Sequence, residues 1–175
     1  MLTPFMIFKG SPNGRIANRE FGTYPAGGKY ACQPKAWIDE PNMHSWIDVV
    51  LTPYKEEKDQ RNPGGPPLVL VLDSYRVHLM GSVMNRIQQM GIEVLHIPGG
   101  CTYLCQPVDI GINKPLKGAM RAKWEAWMTD GGGIVDGVAR EPSRKQITEW
   151  LVDAYQNIPQ DVGRNAWLKT NYAWF

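Results

Sequence analysis

Two aspartates stand where chemistry is often done. Asp73 directly follows the apolar run LVLVL (68–72), and Asp109 lies within QPVDIG (106–111). Paired carboxylates have three readings. As metal ligands they offer hard oxygens to Mg²⁺ or Mn²⁺, ions that keep several waters and take phosphate oxygens as further ligands. As an acid–base pair they need environments that push their proton affinities apart, and the neighbouring residues give no sign of that. As structural groups, Asp73 begins a turn and Asp109 caps a helix; an Asp after an apolar strand is common, so Asp73 alone favours that reading. Nucleotide hydrolysis would need a G-x-x-x-x-G-K-[ST] phosphate loop, which the sequence does not contain.

Other reactive side chains are less telling. His78, five residues after Asp73, is placed to hydrogen-bond in a core as readily as to approach a substrate. His96, Cys101 and Cys105 make three of the four ligands of a structural zinc site, with a Pro-Gly-Gly loop between them and Cys32 remote, so small buried thiols are the better reading. His44 falls in the first turn of its helix with no evident partner. From 110 to 128 four cations (Lys114, Lys117, Arg121, Lys123) stand against Glu125 alone. Any anion-facing surface should centre there.

The elements that must position these groups are legible in outline. PFMIF (4–8) reads as a short strand, followed by a Gly/Pro-punctuated connection to about residue 30. Asn42 is placed to cap a helix with Met43, Trp46, Ile47, Val50 and Leu51 on one face. The run KEEKDQRNPGGPP (55–67) reads as an exposed loop. LVLVL has the pattern of a strand covered on both faces. A helix over 79–90, with Leu79, Val83, Ile87 and Met90 inward, stops at Gly91, and IEVLHI (92–97) is a second strand. This βαβ unit makes its strands parallel, so their carboxyl ends share one edge, where open α/β sheets bind ligands. The loop to Asp109 is long enough to return to that edge, which predicts Asp73 and Asp109 within roughly 8 Å of one another if both reach the same ions. Beyond Asp109 a helix begins with Pro115 in its first turn; Leu116, Met120, Trp124 and Trp127 should face a core, and Lys114, Lys117 and Arg121 share another face. Trp46, Trp124, Trp127 and Trp150 fall on apolar helical stripes, which favours packing over base stacking. The glycines 131–133 read as a flexible joint.

Composition sets limits. With 175 residues, 43% hydrophobic and 21% charged, the chain suits one soluble globular domain. No eighteen apolar residues run together, which argues against a membrane partner. The start MLTPFMIFKG lacks a basic leader and a small-residue cleavage site, and three cysteines suit a reducing, intracellular compartment. A formal net charge of +2 does not by itself announce nucleic acid.

The stretches LVLVLDSYRVH (68–78) and IPGGCTYLCQPVDIGINKPLK (97–117) closely resemble the DDE-type endonuclease domain of pogo/Tigger-like transposases, relatives of mariner. The matching residues are Asp73, His78, Pro98, Thr102, Gln106, Pro107, Asp109, Gly111, Lys114, Pro115 and Lys117, with thirty-five residues between the two aspartates. TPFMIFKG (3–10) resembles the family's Phe-Lys-Gly strand, and SRKQITEWLVDAYQNIP (143–159) the helix after its catalytic core.

That resemblance implies an α/β, ribonuclease-H-like mixed sheet with flanking helices. It implies a partial catalytic domain over 1–175, with its core at about 1–128 and a C-terminal helical segment at 143–168. The family's first metal-binding Asp precedes the Phe-Lys-Gly strand, and no residue here matches it. The strand that would carry it is central, bridging antiparallel strands to the parallel pair. Its loss is expected to expose an edge of 68–72, lower stability and invite self-association. The implied activity is divalent-metal phosphodiester cleavage and strand transfer on DNA, with Asp73 and Asp109 holding Mg²⁺ or Mn²⁺ weakly and Lys114, Lys117 and Arg121 meeting phosphates without reading sequence. The implied location is the nucleus. The alternative is a catalytically inactive transposon remnant that only binds nucleic acid or a protein partner.

Overall fold

The computed structural model describes residues 1–170 and Tyr172. The chain divides into two compact units, one formed by Met1–Gly22 and Gly27–Thr102, the other by Thr23–Ala26 and the chain from Tyr103 onward.

In the first unit, β1 (Phe5–Lys9) pairs in parallel with β2 (Lys29–Gln33), joined through the short helix α1 (Arg15–Arg19). KYACQ was not legible as a strand, being short and weakly apolar. The two strands pair in parallel, and the intervening connection is long enough for the crossover this requires. Helix α2 (Glu40–Trp46) is capped by Asp39 rather than Asn42. The Asp39 carboxylate accepts from the Asn42 backbone amide at 3.0 Å and from the Asn42 side-chain amide at 2.7 Å, which satisfies an otherwise buried Asn.

The chain continues through a wide π-helical turn (Ile47–Leu51) into α3 (Thr52–Arg61), so residues 55–61 are helical and the loop begins at Asn62. The charge run that suggested a loop is a solvated helix face, tied at helical spacing by Lys55–Asp59 and Arg61–Glu57 pairs. The wide turn has a cause in the sequence. Pro53 would clash with the carbonyl of Val49 in a regular helix, and the π turn holds that carbonyl.

Strands β3 (Val69–Asp73) and β4 (Glu93–Ile97) pair in parallel around α4 (Gly81–Gln89), as the βαβ pattern predicts. Val83 and Ile87 are fully buried with Met43, Ile47, Leu51, Val77 and Ile92, and Leu70, Leu72 and Val94 pack onto this cluster. Helix α4 starts two residues later than expected. Residues 75–80 form successive tight turns instead, so Leu79 is 51% exposed and Val77 takes the buried place. Gly91, at φ +70°, ends the helix in the left-handed conformation glycine permits. The expectation of cover on both sheet faces fails: Val69 and Leu95 are exposed, because the helices of this core lie on the Leu70/Leu72 side. Among the described residues β3 pairs with β4 alone.

In the second unit, a short helix α5 (Thr102–Cys105) begins in the first unit and leads to a second π-helical turn (Val108–Ile112) and the long helix α6 (Asn113–Thr129). Here too a proline explains the widening, since Pro115 faces the carbonyl of Gly111 inside the turn. A Cβ at Gly132 or Gly133 would collide with Trp127 or Met128, so this turn has room for glycine alone at these positions. It leads into a hairpin, β5 (Ile134–Val135) and β6 (Val138–Ala139), whose Asp136-Gly137 turn has both φ angles positive. Helix α7 (Arg144–Gln156), capped by Ser143, packs on α6, and α8 (Gln160–Lys169) packs on the π turn that carries Asp109. Trp127 meets both Trp124 and Trp150 edge-on or tilted, and Lys123 pairs with Asp153.

Contact between α8 and the turn depends on Gly111. A Cβ there would stand 2.5 Å from the Ala166 Cβ and 3.2 Å from its Cα, and Ala166 is itself buried. Gly111→Ala should therefore lower stability by about 1–3 kcal/mol, the usual range for overpacking. Adding Ala166→Gly should recover much of that loss. Thermal or urea unfolding of the two single variants and the double variant checks the coupling; strictly additive losses would count against it.

Candidate catalytic site

Asp73 is the last residue of β3, opposite Ile97 in the parallel register. Its carboxylate is held from its own side of the sheet. Oδ1 accepts from the Tyr75 backbone amide at 3.1 Å, a local Asx turn, and lies 2.7 Å from His78 Nδ1. The same His78 nitrogen is 3.2 Å from the Asp73 carbonyl oxygen, so it sits where an N–H would donate to both acceptors of one residue. The Ser74 hydroxyl donates to the Ile97 carbonyl at 2.6 Å, fastening the turn to the end of the neighbouring strand. The Tyr75 ring contacts His78 edge-on at 5.7 Å. His78 is therefore tied to Asp73 and Tyr75 rather than standing as an isolated core residue. Among the described residues Asp73 Oδ2 has no hydrogen-bond partner.

Asp109 lies in the second unit, in the π turn ahead of α6, and is exposed. Its backbone amide donates to the Gln106 carbonyl at 3.0 Å, and its Oδ1 accepts from the Asn113 side-chain amide at 2.6 Å. The spacing of four puts that amide one helical turn on. Asp109 Oδ2 likewise has no partner among the described residues. Each aspartate thus fixes one oxygen on a protein donor and leaves the other for a ligand. A metal-binding carboxylate is commonly held in this way by an outer hydrogen bond, and a hard carboxylate oxygen suits Mg²⁺ or Mn²⁺ rather than a thiophilic ion.

Lys114, Lys117 and Arg121 all lie exposed on α6, and none is paired with a carboxylate among the described residues. Lys123, of the same basic stretch, is occupied by Asp153. The apolar stripe of α6 needs correction. No residue of this helix is fully buried: Leu116, Met120 and Trp127 are half-buried, and Trp124 is 42% exposed. A 17-residue helix packed mainly against α7 and the π turn has one narrow covered face, and Trp124 falls at its margin.

The remaining candidates separate. His96 Nε2 lies 3.3 Å from Met84 Sδ and its Nδ1 is buried without a partner among the described residues, while none of the three cysteines is in a disulfide there. Among the described residues no three His, Cys, Asp or Glu side chains gather as a metal-binding group. His44 does have partners: Glu40 at 3.7 Å and the Arg86 guanidinium at 3.4 Å, with Arg86 also paired to Asp48. Two features were missed in the sequence. Asn113 was legible as an amide four residues after Asp109. Trp37, 62% exposed and stacked on Tyr75 at 6.4 Å, carries no local signal at all.

Comparison with known proteins supplies the family. The chain is 28% identical over 167 residues to the human and the mouse "Pogo transposable element with KRAB domain", covering 91% of this chain and 25% of each relative. It is also 28% identical over 89 residues to the human "Pogo transposable element with ZNF domain", covering 51% of this chain and 6% of that protein. The chain thus spans about a quarter of the length of the first two relatives. No solved structure matches it significantly. The DDE superfamily endonuclease family model matches residues 1–167, nearly the whole chain, and the chain belongs to that family.

Proposed function

We propose that this chain is a transposase-derived, ribonuclease-H-like DDE endonuclease domain, spanning 1–175 with a catalytic core at about 1–128, that binds DNA and cleaves phosphodiester bonds with a divalent metal. The observation that carries the reading is the state of Asp73: at the carboxyl end of a parallel strand, braced by His78 and the Tyr75 amide, with one oxygen free. Asp73 and Asp109 would hold Mg²⁺ or Mn²⁺, which when bound supplies Lewis-acid stabilisation of the attacking and leaving oxygens. His78 and Asn113 would fix their orientation. Lys114, Lys117 and Arg121 would hold the phosphate backbone through charge, giving affinity without sequence reading. The nucleus is the compartment where such a DNA partner is met.

Two carboxylates alone hold Mg²⁺ weakly, because it surrenders water reluctantly. The two-ion reaction calls for a further acid, and among the described residues no three His, Cys, Asp or Glu side chains gather as a metal-binding group. The second reading is a remnant that binds nucleic acid or a protein partner without cutting. Titration with Mn²⁺ should show weak binding that Asp73→Asn and Asp109→Asn each reduce; binding untouched by either substitution overturns the site. Nicking of supercoiled plasmid separates the two readings. Cleavage by the wild type that falls to background in both Asn variants supports the enzyme, and DNA binding with background cleavage throughout supports the remnant.

The basic face makes its own prediction. In duplex-binding assays the Lys114→Ala/Lys117→Ala/Arg121→Ala variant should lower the slope of log K against log[salt] by about three units, one for each lost phosphate contact. An unchanged slope would return the three to solvated surface charges.

Self-association is the third expectation. The β3–β4 pair leaves open strand edges among the described residues, with Val69 exposed at the start of β3. Such an edge pairs readily with another chain, and a charge placed on it opposes pairing. Sedimentation should show concentration-dependent association of the wild type, reduced in Val69→Lys. A wild type that stays monomeric at all concentrations would remove the expectation.

A further inference from the structure

Trp37 is held in the open by features that have no evident role in packing. The residue before it, Ala36, adopts φ +57°, a left-handed conformation that side chains other than glycine avoid. The turn is secured by Gln33, whose side-chain oxygen accepts from the Lys35 amide at 2.6 Å and the Trp37 amide at 3.2 Å. The indole is nonetheless 62% exposed. One side of it rests on Tyr75, with centroids 6.4 Å apart and planes inclined by 29°. Tyr75 in turn touches His78, and its backbone amide holds Asp73. An exposed aromatic plane is therefore linked through two ring contacts to the candidate catalytic carboxylate, entirely within the first unit.

The surroundings indicate what such a plane would take. Lys35 and Arg76, adjacent in sequence to this turn and to Tyr75, are exposed and carry no ion partner among the described residues. Lys35 lies within the turn itself and Arg76 follows Tyr75 in the chain, so two exposed cations accompany the two stacked rings. A flat ring flanked by positive charge suits an unpaired nucleobase and its phosphate. Stacking of this kind tolerates any base, and it needs a base whose face is free, which a continuous duplex does not offer.

We propose that Trp37 is a stacking platform for an unpaired nucleobase of a DNA strand whose phosphate lies at Asp73. The proposal rests on the DNA-binding reading above and adds a preference within it, for a strand that is frayed, overhanging or flipped at the position beside the reacting phosphate. Trp37 would set where along the strand Asp73 acts, while the cations of α6 contribute affinity of a general kind.

The test compares two duplexes, one blunt and one carrying a single unpaired 2-aminopurine at its end, bound by the full chain in chelator so that no cleavage enters. The wild type should bind the overhanging duplex roughly tenfold more tightly than the blunt one, within the range of a single base–aromatic stack, and should change the 2-aminopurine emission. Trp37→Ala should abolish both the preference and the emission change while leaving blunt-duplex affinity in place; Trp37→Phe should keep part of each. Because the preference is a ratio measured within one variant, a partly unfolded sample does not disturb it. The Lys114→Ala/Lys117→Ala/Arg121→Ala variant should weaken both duplexes equally and keep the ratio. A wild type without preference, or a Trp37→Ala protein that retains it, overturns the platform and leaves DNA binding standing. A wild type that binds neither duplex overturns the DNA-binding reading itself, and the platform with it.

Discussion

The parallel register of β3 and β4 is the constraint on which the first half of the candidate site depends. Alternation along a strand has a period of two, so anchoring Leu70 and Leu72 on the Val83/Ile87 core fixes where every other β3 residue stands. A slip of one position would bring Asp73 toward the core face and leave a buried carboxylate with no partner, a cost of several kcal/mol that hydrophobic contact does not offset. The register also sets Ser74 beside the Ile97 carbonyl, which closes the end of the strand pair and leads the chain into the turns that carry Tyr75 and His78. A core of aliphatic side chains thereby determines the position of one oxygen atom.

The second unit reaches a similar result by different means. Asp109 is placed by a helical turn widened against Pro115 and pinned by α8 at Gly111. A regular helix through this segment would have set the Gly111 carbonyl against the proline ring. The same arrangement of a π turn followed by a proline joins α2 to α3, where no candidate site residue is involved, so the widening alone is a local answer to a steric problem. What distinguishes the turn at Asp109 is the close approach of α8, which confines that segment from outside, together with the Asn113 amide one turn on.

How much was legible follows from the range of the forces involved. The βαβ unit could be read because apolar runs, a helical stripe and Gly91 are local signals. The resemblance around Asp73 and Asp109 identified the family for the same reason, since its motifs are contiguous. The cap at Asp39 was misplaced because Asp39, Asn42 and Pro41 all fit a helix start, and only the hydrogen bonds to Asp39 separate them. Residues 55–61 have a loop-like charge density, and their helix shows in the sequence only through Lys55–Asp59 and Glu57–Arg61 standing four apart. The Asp136-Gly137 hairpin carried a recognisable turn signal within IVDGVA that the neighbouring glycines obscured. Trp37 on Tyr75 and Ala166 on Gly111 depend on long-range packing, and nothing nearby in the sequence announces either.

Both candidate carboxylates keep one oxygen without a partner among the described residues, yet they are not equivalent. Asp73 has two donors on its engaged oxygen, one from the backbone and one from a ring that is itself packed against Tyr75, so its free oxygen is held in a narrow range of directions. Asp109 has one side-chain amide and an exposed position, which permits rotation about its side-chain bonds. Ligands differ in what they ask of such groups. Mg²⁺ demands near-octahedral geometry and favours a ligand fixed beforehand, because ordering it on binding would cost conformational entropy. Of the two, Asp73 is the ligand fixed beforehand and Asp109 the more adaptable one. Loss of the His78 ring would then harm the site through Asp73 even though the imidazole need touch neither metal nor DNA. Loss of the Asn113 amide would matter less, because the group it orients already has freedom to move.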